Sequence, residues 1–251
     1  MKTISIITPM PDMINSIIEH SILRKAIKGD LVKFDLVDLR DFGLGNYKQI
    51  DDPPYGGGGG MILMAEPLFA ALDQIIDNLK DANNTKIIYP SPQGQLWSHN
   101  KAMGNRNFDN LIFICGHYKD IDQRVIDKYV TNEYSIGDYV VTNGEIPAMI
   151  MIDSIVRLIP GVLNNFDSAK TDSFFSGIEL DAPYYTRPSE IDNLRVPDVL
   201  LSGDHDKIDK WRKNERRQRT KNKRPDLWSK RLNKFERYAA PTCAVIGFVT
   251  R

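Results

Sequence analysis

Cysteine is scarce in this chain. Two residues among 251, Cys115 and Cys243, cannot build a disulfide framework, and no CxxC or paired-histidine spacing offers a zinc site. Long apolar runs are also missing. The longest, residues 146–163, carries Asp153 and Arg157, which a bilayer would penalise, so no transmembrane span is expected. No secretory signal is expected either, because Pro9, Pro11 and Asp12 interrupt the short apolar run at residues 4–7. Low complexity is confined to five consecutive glycines. These absences leave a cytoplasmic globular protein, long enough for one large domain and a smaller one.

The formal net charge is zero, yet the charge is unevenly distributed. Residues 207–237 hold 14 Lys and Arg against four acids, a net of +10, so the remainder carries −10. Trp211, Trp228 and Phe235 interleave with these cations, which suits a polyanion contact; an exposed helix with pairs such as Glu215–Arg219 is the plainer reading.

Strand-like and helix-like segments alternate over the first two-thirds. Residues 4–8 read as a buried strand, and Ile14, Ile17, Ile18 and Ile22 follow at helical spacing. Residues 32–39 alternate as a strand with one polar face. Glu66-Pro67 opens a helix through Leu68, Leu72, Ile75 and Leu79, while residues 86–89 and 111–115 are buried-strand runs. This order predicts an α/β domain with a mainly parallel sheet over residues 1–163. Residues 144–159 form a helix apolar around most of its circumference, to be buried in a core or an interface. Residues 164–175 are polar-rich and aperiodic, hence a flexible linker, and residues 176–251 form a second, helical and basic domain.

The glycines at 56–60 invite a nucleotide-loop reading that the details refuse. Met61 occupies the last position of a dinucleotide fingerprint, and no Gly-Lys-Ser/Thr follows. Three turns at apparent strand ends are more suggestive: residues 91–94 (SPQG), 115–118 (CGHY) and 136–139 (IGDY). In open α/β sheets, ligands bind outside the carboxyl ends of strands, so these loops could jointly enclose a small molecule.

These loops belong to a longer collinear series: DDPPYGGGG at 51–59, SIGDYVVTNGEIPAM at 135–149, RLIPGVL at 157–163, DSF at 172–174, YTRP at 185–188 and VLLSG at 199–203. The series resembles the bacterial tRNA (guanine-N1)-methyltransferases over about nine-tenths of the chain. The resemblance implies a SPOUT-type α/β fold with a deep trefoil knot, a small helical C-terminal domain that grips tRNA, and a homodimer with the active site at the subunit interface. It also implies S-adenosylmethionine as cofactor and guanosine 37, just 3′ of the anticodon, as the target.

Guanine N1 carries a proton at neutral pH, so its methylation needs a base and a cation near O6. By resemblance Asp172 is the base and Arg157 holds O6; without it they read as a loop carboxylate and a salt-bridged helix residue. The implied cofactor contacts are Tyr89, Ser91 and Pro92 in the first loop, and Gly116 and Tyr118 in the second. The third loop contributes Ile136, Gly137, Asp138, Tyr139, Val140 and Val141, with Gly144 and Pro147 closing the pocket. Arg187, Ser202, Lys210, Trp211 and Arg212 are the implied RNA contacts, although Trp211 serves equally as a core residue. His117 and His205 receive no role.

The chain departs from the family pattern at several positions. Lys119-Asp120 stands where Glu-Gly is usual, and that glutamate is tied to magnesium as a second cofactor of the family. Gln123 replaces a glutamate, Asn143 a glycine and Asp204 an asparagine. Two further readings stay open on these changes: a tRNA-binding relative with altered or lost methyl transfer, and a non-catalytic dimeric RNA-binding protein.

Overall fold

The chain folds, in a computed structural model, into two compact units, Met1–Phe166 and Asp167–Arg251. The structure describes residues 1–79, 84–164, 166–175 and 177–229. Phe235, Cys243 and the apolar end of the chain lie outside the described residues.

The first unit runs β1 (Lys2–Thr8), α1 (Pro11–Ile18), α2 (Ser21–Lys28), β2 (Val32–Asp38), β3 (Asp51–Asp52), β4 (Ile62–Leu63) and α3 (Ala65–Asp77). It continues with β5 (Thr85–Leu96), α4 (His99–Asn105), β6 (Asn110–Ile114), α5 (Gln123–Tyr129), β7 (Asn132–Ser135) and α6 (Glu145–Val156). Five strands pair in the order β2-β1-β6-β5-β7, every pair parallel. This is the expected α/β fold with a parallel sheet.

Burial explains the strand sequences. Central strands β1 and β6 are buried on both faces, so Ile4, Ile6, Ile7 and Leu111–Ile114 form continuous apolar runs without alternation. Ile7, Ile112, Ile114, Ile87 and Tyr89 point into one core with Leu68, Leu72 and Ile75 of α3 and Val125 of α5. Their neighbours Ile6, Phe113 and Ile88 point the other way and are equally buried. Edge strand β2 is half-covered, which is why Lys33 and Asp35 fit there. The isoleucine run at 14–22 belongs to two helices. The chain leaves α1 after Ile18 and passes Ser21 at φ +49°, outside the helical region.

Helix α6 packs against α1, α2 and α4 and buries Met151, Ile152, Ile155 and Val156 completely. Ile146 and Ile150, four residues apart on one side of it, are 37% and 46% exposed. Among the described residues no helix is long and apolar enough to cross a membrane.

In the second unit, α7 (Phe166–Thr171) begins at the boundary inside the stretch that shows no periodicity. Then follow a two-stranded hairpin of β8 (Glu190–Ile191) and β9 (Leu194–Arg195), α8 (Asp198–Leu201) and α9 (His205–Lys223). The hairpin is an addition that the purely helical expectation lacked. Asp204 caps α9, its Oδ1 accepting from Lys207 N at 3.1 Å. Hydrogen bonding to Lys207 holds its carboxyl below the usual range. Aspartate caps as well as asparagine and favours the positive end of the helix dipole, so this departure from the family has a local structural reason. Thr220 and Arg216 tie α9 down: Thr220 Oγ1 accepts from Leu180 N at 2.9 Å, and Arg216 pairs with Asp181 at 3.1 Å.

Candidate active site

Three adjacent strands, β6, β5 and β7, end at one edge of the sheet, and the loops that follow them converge there. The first loop is an extrusion from within β5. Pro90 pairs with Tyr134, residues 91–94 leave the ladder, and Gln95 returns to the same Tyr134. At that return a Cβ on Gly94 would lie 2.4 Å from Tyr134 N, so only glycine fits. Ser91 Oγ accepts from Gln93 N at 3.2 Å and shapes the turn.

The second loop carries Gly116, His117 and Tyr118 off the end of β6. Tyr118 sits at φ +60°, a costly conformation for a bulky residue and of the kind that clusters at functional sites. The third loop leaves β7, with Ser135 Oγ accepting from Gly137 N at 3.1 Å, and ends at Gly144, the N-cap of α6. Gly144 N donates to Gly116 O at 2.8 Å, and a Cβ there would lie 2.4 Å from Gly116 N. The second and third loops therefore touch main chain to main chain.

Between the loops lies a narrow, open-mouthed crevice of about 110 Å³. Tyr89, Ser91 and Pro92 line it from the first loop, and Gly116 and Tyr118 from the second. Ile136, Gly137, Tyr139, Val140 and Val141 line it from the third, with Gly144 and Pro147 at the start of α6. Asp138 is not among the residues lining the crevice and is exposed to solvent.

The crevice also contains groups that were not legible in sequence. Tyr89 donates its phenol to Asp120 Oδ1 at 2.6 Å, and Ile121 N donates to the same oxygen at 2.8 Å. Burial, reinforced by the Asp120 bond, pushes the Tyr89 phenol far above its ordinary value, so it stays a donor. Beneath the second loop, His117 Nε2 lies 2.8 Å from both oxygens of the fully buried Glu145. Burial, and then the Glu145 charge, raise the Cys115 thiol well above its usual range, which leaves it a poor nucleophile. Asn143 is not at positive φ, so it replaces a glycine without needing the left-handed conformation. Its Oδ1 is buried without a hydrogen-bond partner, on a residue that lines the crevice.

The glycine run at 56–60 lies in the turn of the β3–β4 hairpin, docked beside the second loop. Lys119 N donates to Met61 O at 3.0 Å, and Leu63 N to Asp120 O at 3.0 Å. Lys119 itself is exposed at the rim, against Gly60. Nothing in the lining supports a resident magnesium ion. Lys119 brings a cation to the lining, Asp120 Oδ1 is engaged by Tyr89 and Ile121, and no group of three or more His, Cys, Asp or Glu among the described residues could hold a metal.

Arg157 is half-buried at the C-cap of α6, its N donating to Asp153 O at 3.1 Å. Asp172 belongs to the second unit, just past α7, half-buried in a turn that Asp181 N closes by donating to Ser173 Oγ at 2.9 Å. Arg187, Ser202, Lys210 and Arg212 are exposed in that unit, while Trp211 is half-buried with its ring 6.5 Å from Tyr185. Arg187 and Arg212 line a common cavity with Tyr184 and Tyr185.

Fold and site together define an α/β protein with a crevice at the ends of its parallel strands, lined by three converging loops. Comparison with known proteins makes the class particular. The model of the family described as tRNA (Guanine-1)-methyltransferase TrmD matches residues 1–230. Proteins of Staphylococcus aureus strains JH9, Newman and NCTC 8325, each named tRNA (guanine-N(1)-)-methyltransferase, are 47% identical over 227 residues, 90% of this chain and 91% of theirs. The chain belongs to this family of methyltransferases.

Proposed function

We propose that this chain is a cytoplasmic enzyme that transfers a methyl group from S-adenosylmethionine to N1 of guanosine 37 in tRNA. The observation that carries the reading is the convergence of the three strand-end loops on one crevice in a chain of this family. Gly116, Gly137 and Gly144 let the loops and the Tyr89 and Tyr139 rings pack closely around the crevice. S-adenosylmethionine supplies an electrophilic methyl on a sulfonium, so the protein needs only to position guanine and manage one proton.

Asp172 would accept the proton of guanine N1, freeing that nitrogen for the methyl group the cofactor would supply. Negative charge gathers on O6 in that step, where Arg157 stabilises it with its planar fork of donors. Base and cofactor come from different subunits, Asp172 of the partner subunit serving the crevice of its neighbour. Exposed Ile146 and Ile150, on one side of a largely buried helix with Asp153, support a face that a second copy covers. Residues 164–175 link the units, and Arg187, Ser202, Lys210, Trp211 and Arg212 hold the tRNA.

Incubation with labelled cofactor and unmodified tRNA, followed by nucleoside analysis, should give 1-methylguanosine at position 37. Asp172→Asn should lower that rate by about 10²–10⁴-fold. Wild-type protein that yields none, with magnesium supplied or withheld, would overturn the proposal.

A further inference from the structure

Thr8, His117 and Glu145 come from the end of β1, the loop after β6 and the first turn of α6, and meet beneath the crevice. Thr8 and Glu145 have no exposed surface. Met10 N donates to Thr8 Oγ1 at 2.9 Å, which directs the single hydroxyl proton of Thr8 to Glu145 Oε1, 2.5 Å away. That oxygen is therefore an acceptor. His117 Nε2 stands 2.8 Å from both carboxyl oxygens, so Thr8 and His117 together engage both ends of the group. Among the described residues no lysine or arginine pairs with Glu145.

The charges lining the crevice give this group a use. Asp120 lines the crevice with its Oδ1 accepting from Tyr89 and Ile121, and the cation of neighbouring Lys119 at the rim offsets its charge. A cationic ligand meets repulsion from Lys119, but that side chain is exposed and screened by solvent. A carboxylate enclosed by protein is screened far less and acts over a longer range.

We propose that Glu145, held by Thr8 and His117, is a positioning residue that supplies the negative charge against which the crevice binds the sulfonium of its cofactor. This rests on the reading of S-adenosylmethionine as that cofactor. The distinction is between a sulfonium and a neutral thioether of nearly the same shape, S-adenosylhomocysteine.

Calorimetry of both ligands on the full-length protein tests it. Glu145→Gln should weaken the sulfonium by about tenfold or more while the thioether changes by less than about twofold. His117→Gln, which keeps an N–H facing the carboxylate, should leave the ratio of the two affinities within about twofold of wild type. Should Glu145→Gln not fold, wild type still decides: a buried charge keeps that ratio steady from about 0.05 to 1 M salt. Equal weakening of both ligands by Glu145→Gln, a ratio moved equally by His117→Gln, or a wild-type ratio that collapses in high salt would each overturn the inference and leave the cofactor reading standing. Wild type that binds neither ligand would overturn both.

Discussion

The glycines at 56–60 and those around the crevice share a residue type and little else. A Cβ added to any of Gly56, Gly57, Gly58 or Gly59 would meet no atom within 4 Å. One added to Gly144 would lie 2.4 Å from Gly116 N, and one on Gly116 would lie 2.8 Å from the Tyr89 hydroxyl. The run of five is the more conspicuous in the sequence, but packing uses the isolated ones. Glycine density signals freedom of the chain; only the surroundings tell whether a missing side chain has been spent on close approach.

Substitutions can break that comparison, and the largest effect belongs to Gly144→Ala. The clash is with the main chain of Cys115 and Gly116, which cannot rotate away. Destabilisation of roughly 1–3 kcal/mol in urea unfolding is expected, with at least a tenfold loss of cofactor affinity. A stable variant of undiminished affinity would show that the two loops need not touch. Gly116→Ala should cost less, about 1–2 kcal/mol, because a side chain can move, though at the expense of the Tyr89–Asp120 bond. Adding Tyr89→Phe removes the nearest clashing atom and leaves contacts of 3.1 and 3.3 Å. The double variant should therefore recover about 0.5 kcal/mol or more relative to additivity, read from a double-mutant cycle. Smallest of all is Gly59→Ala, which has open space and no positive φ; unfolding free energy should stay within about 0.5 kcal/mol of wild type.

Strands β1, β2, β5 and β6 were legible because burial on one or both faces writes directly into apolar runs and alternation. The division of the isoleucine run into α1 and α2 was not, since it depends on the backbone at Ser21 rather than on spacing. Most crevice residues could be named from collinear motifs, yet the exposure of Asp138 outside the lining is something a motif does not encode. The Thr8–Glu145–His117 group was missed for a different reason. Its members are 137 and 28 residues apart, and a lone histidine carries no sign of what it faces. The one available signal was Glu145 itself, a carboxylate at the head of a helix otherwise apolar on nearly every side.

The extruded loop at 91–94 has a kinetic consequence. Because β5 resumes pairing with β7 on the far side of the extrusion, that wall is anchored at both ends by one ladder and moves only if the ladder opens. The 136–143 segment carries no such double anchor and bears Tyr139 and Val140 exposed to solvent. The wall at 91–94 therefore keeps its shape while its ladder holds, and loop motion on the nanosecond-to-microsecond scale is left to segments outside the ladder such as 136–143.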